Sequence, residues 1–277
     1  MAEVSSGGSR PGTSNTSNTS VRFRGGGFRT RTIYWIGPVV FAALVLIWEL
    51  GTRYGFISSL TLPRPGDVAG TFGELWRTGA LIDHLLPSLT RFFVGTAMGC
   101  AAGVAVGIMI GLFSYARSGL VPLVAAIFPI PKIALLPLFI IWFGIGEGSK
   151  YALIALGTFT PMVVATYGAV DNVDRTLIRM GQSFSLSWAS IVRKIVLPGA
   201  MPGIFSGLRV SVAIGIILLV AAEMLGARRG IGAYILEAGS LYDLERLFAG
   251  VIILSVLGVL MNFLLGLIEN RVLRWRS

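Results

Sequence analysis

The sequence predicts an all-α protein that crosses a membrane with about six helices. Its 277 residues are 54% hydrophobic, with a mean hydropathy of +0.78. Only 13% are charged, about half of the roughly 25% that is usual in soluble domains. The apolar residues are concentrated in runs near 20 residues, which is the length a helix needs to cross the hydrocarbon core. We therefore expect a multi-pass membrane protein.

The amino-terminal residues 1–31 are mostly Ser, Thr, Gly, Asn and Arg. Because such a segment buries too little apolar surface to offset its ordering entropy, it is predicted to be a disordered, basic cytoplasmic tail. A cleaved signal peptide is the alternative, with Arg22 to Arg31 as its charged region. Against that alternative, the first apolar run ends in Trp48-Glu49-Leu50-Gly51 and not at a small-residue cleavage site.

Six apolar segments are predicted to span the membrane. The first lies within 32–51 and is followed by an external connecting segment at 52–86. The other five form a core at 87–270, and a basic cytoplasmic tail follows at 271–277. The predicted spans are 33–50, 92–116, 120–143, 151–170, 195–223 and 247–268.

The second span carries a glycine at every fourth position, where a helix presents one face. On that face a neighbouring helix can approach closely, so we expect a tight helix–helix contact. The glycines are Gly95, Gly99, Gly103, Gly107 and Gly111.

The distribution of basic residues predicts the orientation, because cytoplasmic loops are enriched in Arg and Lys. With the amino terminus inside, the inner segments carry thirteen basic residues and the outer loops seven. Both termini are therefore predicted to be cytoplasmic. The net charge of +10 does not indicate a nucleic-acid partner, since the basic residues flank apolar runs and form no patch interleaved with aromatics.

One polar segment, residues 171–194, lies on the predicted inner side. Its apolar residues recur at steps of three and four, which indicates one amphipathic helix with a single apolar stripe. We expect Leu197-Pro198 to end this helix, because a proline ring clashes with the preceding turn. The predicted stripe consists of Leu177, Gly181, Phe184, Trp188, Ile191 and Ile195.

Several strings in this order resemble the permease subunits of ABC importers, in particular the nitrate, sulfonate, taurine and bicarbonate group. The cytoplasmic strings are Gln182-Ser183-Phe184-Ser185-Leu186-Ser187, Ile195-Val196-Leu197-Pro198-Gly199-Ala200-Met201-Pro202 and Gly207-Leu208-Arg209. The supporting strings are Leu62-Pro63-Arg64-Pro65, Pro129-Ile130-Pro131-Lys132-Ile133-Ala134-Leu135-Leu136-Pro137-Leu138, Trp142-Phe143-Gly144-Ile145-Gly146-Glu147 and Ala221-Ala222-Glu223-Met224.

The resemblance implies a type I ABC importer permease fold, in which residues 171–194 form a coupling helix that docks on an ATPase subunit. It departs from the usual signature at two points. Arg179-Met180-Gly181 stands where the family has Glu-Ala-Ala, and Ser185 stands where it has a glycine. The implied coupling residues are Arg175, Arg179, Gly181, Phe184, Ser185, Trp188 and Pro198.

No catalytic set is visible in the sequence, so the chain is not predicted to be an enzyme. The single His84 and the single Cys100 have no partner that would indicate a metal or nucleophile site. The string 144–150 has Ser149 before Lys150, the reverse of a phosphate-binding loop. We therefore expect no cofactor on this chain and ATP on a partner subunit.

Charged residues inside the predicted spans need a reason, because a charge at mid-bilayer costs about 2.5–3.5 kcal/mol on insertion scales. Lys132 lies among four prolines, in a span that must be broken. It is therefore expected either to line the translocation path or to have a packing role. Arg209 and Glu223 are 14 residues apart on one helix, too far to pair. For Glu223 a structural pair with Arg91 and a role in transport both remain open. Lys132, Arg209 and Glu223 are the candidate translocation residues.

The leading hypothesis is the permease subunit of an ATP-driven importer in the bacterial cytoplasmic membrane. The resemblance implies a second permease copy or close relative, two cytosolic ATPases and an external substrate-binding protein. The excess of deep positive charge predicts an anionic solute. The resemblance implies a solute of the nitrate, sulfonate, taurine or bicarbonate type. The alternatives are a secondary transporter or channel, which should show two related halves, and a membrane-embedded enzyme.

Overall fold

A computed structural model describes residues 35–58 and 61–274 of the chain. The predicted amino-terminal tail at 1–31 lies outside the described residues. Contacts divide the chain into residues 1–47 and residues 48–277, and every site discussed below lies within the second unit.

The described residues form eleven α-helices and no strand, which confirms the all-α prediction. Five helices are long and apolar enough to cross a membrane, or six when one bent pair counts as a span. The helices are α1 (Ile36–Arg53), α2 (Pro65–Arg77), α3 (Ala80–Leu112), α4 (Ser114–Ile127), α5 (Leu136–Phe143), α6 (Glu147–Asp171), α7 (Arg175–Ser183), α8 (Trp188–Ile191), α9 (Leu197–Gly226), α10 (Ile231–Ser240) and α11 (Leu244–Val272).

The observed helices differ from the predicted segments at 52–86, at α10 and at the tail, and they agree with the predicted break in the third span. The connecting segment at 52–86 contains α2 and the start of α3, and α10 was not predicted at all. The third span is broken, as its prolines indicated: α4 and the segment Lys132–Phe143 meet at 91°. Helix α11 continues into the predicted tail at 271–277 as far as Val272.

Helices α3, α6 and α9 pack side by side and form the core of this unit. The glycine stripe of α3 lies against α6, as predicted. A Cβ atom at Gly99 would stand 2.1 Å from Thr158 Oγ1 and 2.2 Å from the Ala155 carbonyl oxygen, so only glycine permits this approach. Phe92, Ile154 and Leu219 fill the space between the three helices.

The prediction that Leu197-Pro198 ends a helix is wrong. Residues from Trp188 to Gly226 form one continuous helix of 39 residues. A π-helical turn at Val192–Val196 leads directly into α9. Because a π turn is wider than an α turn, it makes room for a proline ring that would clash with the carbonyl four residues earlier.

Candidate functional site

Residues 175–191, which we call the α7–α8 segment, do not form the single helix that the periodicity predicted. Helix α7 ends at Ser183 and α8 begins at Trp188. The predicted stripe is split, because Gly181 and Ile191 are buried whereas Leu177, Phe184 and Trp188 are exposed. The physical reason is the bend at residues 184–187, because it reorients α8 relative to α7 and the apolar residues of the two helices no longer share one face.

The bend is a well-formed helix end. The Leu186 N–H donates to the Gly181 carbonyl at 3.0 Å, and the Ser185 N–H donates to the Gln182 carbonyl at 2.9 Å. Ser185 has φ of +56°. This pattern is a Schellman motif, in which the left-handed position is most often glycine. The geometry therefore accounts for the glycine of the family signature, whose place Ser185 takes in this chain with a positive φ.

The exposed face of the α7–α8 segment is apolar and flanked by arginines. Phe184 is 76% exposed, and Trp188 is 58% exposed. The Trp188 ring contacts Phe113 with the ring centroids 5.7 Å apart. Arg175 and Arg179 are also exposed. Gly181 packs inward, since a Cβ there would meet Ile195 Cδ1 at 2.9 Å. Pro198 lies in the first turn of α9 and is only partly exposed.

The opposite end of α3, α6 and α9, which we call the ion-pair end, holds a cluster of buried charges. The Glu223 carboxylate of α9 is completely buried and accepts hydrogen bonds from two other helices, α3 and α10. Arg91 Nη1 donates to Glu223 Oε1 at 2.8 Å, and Ser88 Oγ donates at 2.7 Å. The Gly232 N–H, in the first turn of α10, donates to Glu223 Oε2 at 2.8 Å. Glu223 therefore pins α3, α9 and α10 together.

The Arg91 guanidinium donates four hydrogen bonds in this cluster. Its Nε donates to Glu147 Oε2 at 2.5 Å, and its Nη2 donates to Glu147 Oε1 at 2.8 Å. Its Nη1 also donates to the Arg229 carbonyl at 2.6 Å. The side chain of Arg91 is only 5% exposed. Of the two roles left open for Glu223, the geometry fits the structural pair with Arg91.

Sequence reasoning missed several members of this cluster. Ser88, Glu147 and Lys150 all contribute hydrogen bonds, and Lys150 Nζ lies 3.3 Å from Glu147 Oε1. Gly230 has φ of +142°, and a Cβ there would stand 2.5 Å from Glu223 Oε1, so this position requires glycine. A usable signal was present for Glu147 and Lys150, because they are charges at the edge of an apolar span.

Lys132 lies at the break between α4 and α5. Its Nζ donates to the Ile127 carbonyl at 3.1 Å and to the Phe128 carbonyl at 2.5 Å, so it caps the end of α4. The same side chain lines a cavity of about 310 Å³ whose other walls are mainly apolar. The other lining residues are Phe128, Ile130, Pro131, Ile133, Gly157, Thr160, Pro161, Ile214 and Leu218.

Arg209 lines neither the cavity of Lys132 nor the cavity at the ion-pair end. It forms an ion pair with Glu269 of α11 and lines a groove between α9 and α11. The structure therefore does not bring the three candidate translocation residues together. Among the described residues, no group of three or more His, Cys, Asp or Glu side chains could hold a metal ion.

Comparison with known proteins places the chain in a family. Residues 103–274 match the family described as the binding-protein-dependent transport system inner membrane component. A protein named as the aliphatic sulfonates transport permease SsuC of Bacillus subtilis (strain 168) is 34% identical over 100% of this chain and 99% of its own length. The taurine transport system permease protein TauC of Escherichia coli (strain K12) is 35% identical over 85% of this chain and 88% of its own.

Solved structures support the same fold. A chain of the MetNI methionine ABC transporter in an inward-facing conformation superposes with a TM-score of 0.61. It covers 70% of this chain and 96% of its own length, at 22% identity, so the likeness concerns the fold alone. Together with the family match and the two relatives, it confirms the type I permease fold. The chain belongs to the binding-protein-dependent inner membrane component family and is the non-enzymatic permease subunit of an ABC transporter.

Proposed function

We propose that this chain forms the membrane path of an ATP-driven importer for small organic anions of the sulfonate class. The observation that carries this proposal is the identity of 34% and 35% to sulfonate and taurine permeases across nearly the whole chain. The solute is delivered by an external binding protein, as the family description implies.

The partners follow from the family and from the exposed surface. A second permease copy, or a close relative, completes the path, and two cytosolic ATPases bind and hydrolyse ATP. This chain itself needs no cofactor. The α7–α8 segment is the contact for the ATPase, which is supported by its exposed Phe184 and Trp188. Exposed aromatic side chains of this kind are enriched where proteins bind one another.

The proposed orientation places both termini and the α7–α8 segment in the cytoplasm of a bacterium, and the ion-pair end outside. The excess of basic residues in the corresponding segments supports it. In this orientation a solute released by the binding protein first meets the ion-pair end.

The cavity beside Lys132 suits an anion with an apolar body. Lys132 Nζ uses two donors on backbone carbonyls, and an ammonium group has three. The remaining donor and the positive charge can stabilise a sulfonate, while Ile214 and Leu218 contact the aliphatic part. Binding sites of this type are mostly apolar with a few placed polar groups. Arg209 lies outside this cavity, in the groove between α9 and α11, where it is paired with Glu269.

Uptake into liposomes tests the proposal. The assembled complex with its binding protein should accumulate butanesulfonate in an ATP-dependent manner, and an uncharged solute of similar size should not compete. We expect Lys132→Met to reduce the rate at least tenfold and Arg209→Met to reduce it less, because Arg209 is half exposed and paired. Arg246→Met, which removes an exposed cation of α11, serves as the control.

Transport of an uncharged solute in preference to butanesulfonate would refute the proposed substrate class. Normal butanesulfonate uptake by both Lys132→Met and Arg209→Met would show that these two charges are structural.

A further inference from the structure

Arg91 has two carboxylate partners that differ greatly in burial. Glu223 is completely buried, whereas the Glu147 side chain is 47% exposed. The two cations that hold Glu147 are themselves buried, since the side chains of Arg91 and Lys150 are 5% and 4% exposed. Of the four charged side chains Arg91, Glu147, Lys150 and Glu223, Glu147 is therefore half-exposed and the other three are buried.

The contacts to Glu147 form an oxyanion site. Two parallel N–H donors of Arg91 hold its two carboxylate oxygens at 2.5 and 2.8 Å, and Lys150 Nζ approaches one of them at 3.3 Å. A planar guanidinium fork fits any group with two adjacent negatively charged oxygens, so it would hold a sulfonate in the same way. Glu147 is also the first residue of α6, where the helix dipole favours negative charge.

The site opens into the largest of the cavities described here, with a volume of about 810 Å³. The charged side chains that line it are Arg91, Lys150, Arg228, Arg229 and Glu147, four cations and one anion. Concave surfaces lined by charge of one sign raise the local concentration of the opposite ion. An anion that enters this cavity meets the Arg91–Lys150 pair at its wall.

The two glycines before Glu147 are not packed against neighbouring side chains. Gly144 and Gly146 precede it, and a Cβ at either would meet nothing within 4 Å. Gly144 has φ of +79°, a conformation that glycine adopts at little cost. The Glu147 side chain is itself 47% exposed and lines the cavity, so it has open space on its outer side.

We propose that Arg91 and Lys150 form an oxyanion site of this permease, that the Glu147 carboxylate is its resident counter-ion, and that the acidic group of the solute replaces Glu147 during transport. The proposal rests on the anionic substrate class proposed above. The exchange keeps the buried charge balanced, because one anion takes the place of another beside Arg91, Lys150 and Glu223. A buried cation left without an anion would be costly. Replacing Glu147 by the solute anion is therefore more favourable than moving Glu147 away with no anion in its place.

The proposal predicts that removing the Glu147 carboxylate increases the affinity for anions. In the assembled complex in nanodiscs, Glu147→Ala should bind butanesulfonate, and also inorganic sulfate, at least tenfold more tightly than wild type by calorimetry. Glu147→Gln, which keeps the side-chain shape, should change binding in the same direction by a smaller factor. Adding Lys150→Met to Glu147→Ala should abolish the gain.

Asp171→Ala is the matched control, because it removes the same charge and also breaks an arginine ion pair, at the other end of α6. It should bind both probes as wild type does. The same titrations with chloride at equal ionic strength should show no gain. If Glu147→Ala is poorly folded, butanesulfonate should raise its unfolding temperature by more than it raises that of wild type, since a ligand of the native state stabilises it.

Unchanged or weaker binding of both probes by Glu147→Ala and Glu147→Gln would overturn the proposal, even if wild type imports butanesulfonate normally. If the two variants bind sulfate more tightly but the complex imports no sulfonate, the oxyanion site stands and the proposed substrate class is wrong.

Discussion

The two ends of the α3–α6–α9 core differ in which side chains they bury: one end buries charged side chains, and the other exposes apolar ones. At the ion-pair end, Arg91 and Glu223 are buried and bonded to each other. At the α7–α8 segment, Phe184 and Trp188 face outward. The ion pair between Arg117 and Asp171 near that segment is also partly exposed. The first end is therefore held together by its own residues, whereas the second presents a surface suited to another protein.

The largest effect is expected at Glu223. Replacing it in Glu223→Ala leaves Arg91 buried with only the half-exposed Glu147, and breaking a buried pair typically costs about 3–5 kcal/mol. We therefore expect a large fall in the unfolding temperature of the detergent-purified permease and loss of α10 packing. Fluorescence-detected thermal unfolding measures this.

The control for Glu223 is Asp171→Ala, which breaks the partly exposed pair with Arg117. Exposed pairs contribute about 0–1 kcal/mol, so this variant should unfold close to wild type. Equal destabilisation by the two variants would erase the distinction between the two ends.

The second effect is expected at the α7–α8 segment. Phe184→Glu and Trp188→Glu should weaken the association of the ATPase subunit at least tenfold and uncouple transport, because a charge replaces an exposed apolar contact. The stability of the permease alone should change little for Phe184→Glu, since this side chain is 76% exposed. Co-purification of the ATPase and thermal unfolding separate the two quantities.

Trp76→Glu is the matched control, because Trp76 of α2 is 71% exposed and lies outside the α7–α8 segment. It should bind the ATPase as wild type does. If Phe184→Glu and Trp188→Glu bind the ATPase normally but lose binding to lipid vesicles, the segment lies on the membrane surface instead.

The smallest effect is expected at Ser185. Because its φ of +56° is strained for a residue with a Cβ, Ser185→Gly should stabilise the bend by about 1 kcal/mol. Slower hydrogen exchange of the Leu186 amide, which is bonded to the Gly181 carbonyl, would report this.

Ser183→Gly, at the last residue of α7, should destabilise the bend slightly, by less than the roughly 0.5–1 kcal/mol that glycine costs in the middle of a helix. Faster exchange in Ser185→Gly than in wild type would show that the serine side chain itself stabilises the bend.

Much of the molecule could be predicted from the sequence because it depends on short-range patterns. The number of spans follows from apolar length, the broken third span from its prolines, and the close α3–α6 contact from glycines four residues apart. The charges of the α7–α8 segment distinguish it from the apolar membrane spans. Each of these properties is decided by residues within a few turns of one another.

The pairing of the buried charges depends on how the helices pack. Arg91, Glu147 and Glu223 come from α3, α6 and α9, and no local pattern brings them together. Likewise, the continuity of the helix through Pro198 depends on a π turn that propensity does not predict. The pairing is set by how three helices pack, since a buried charge accepts only the partner that packing places within hydrogen-bond distance. Local sequence patterns therefore predicted the membrane spans, whereas helix packing set the contacts of the ion-pair end.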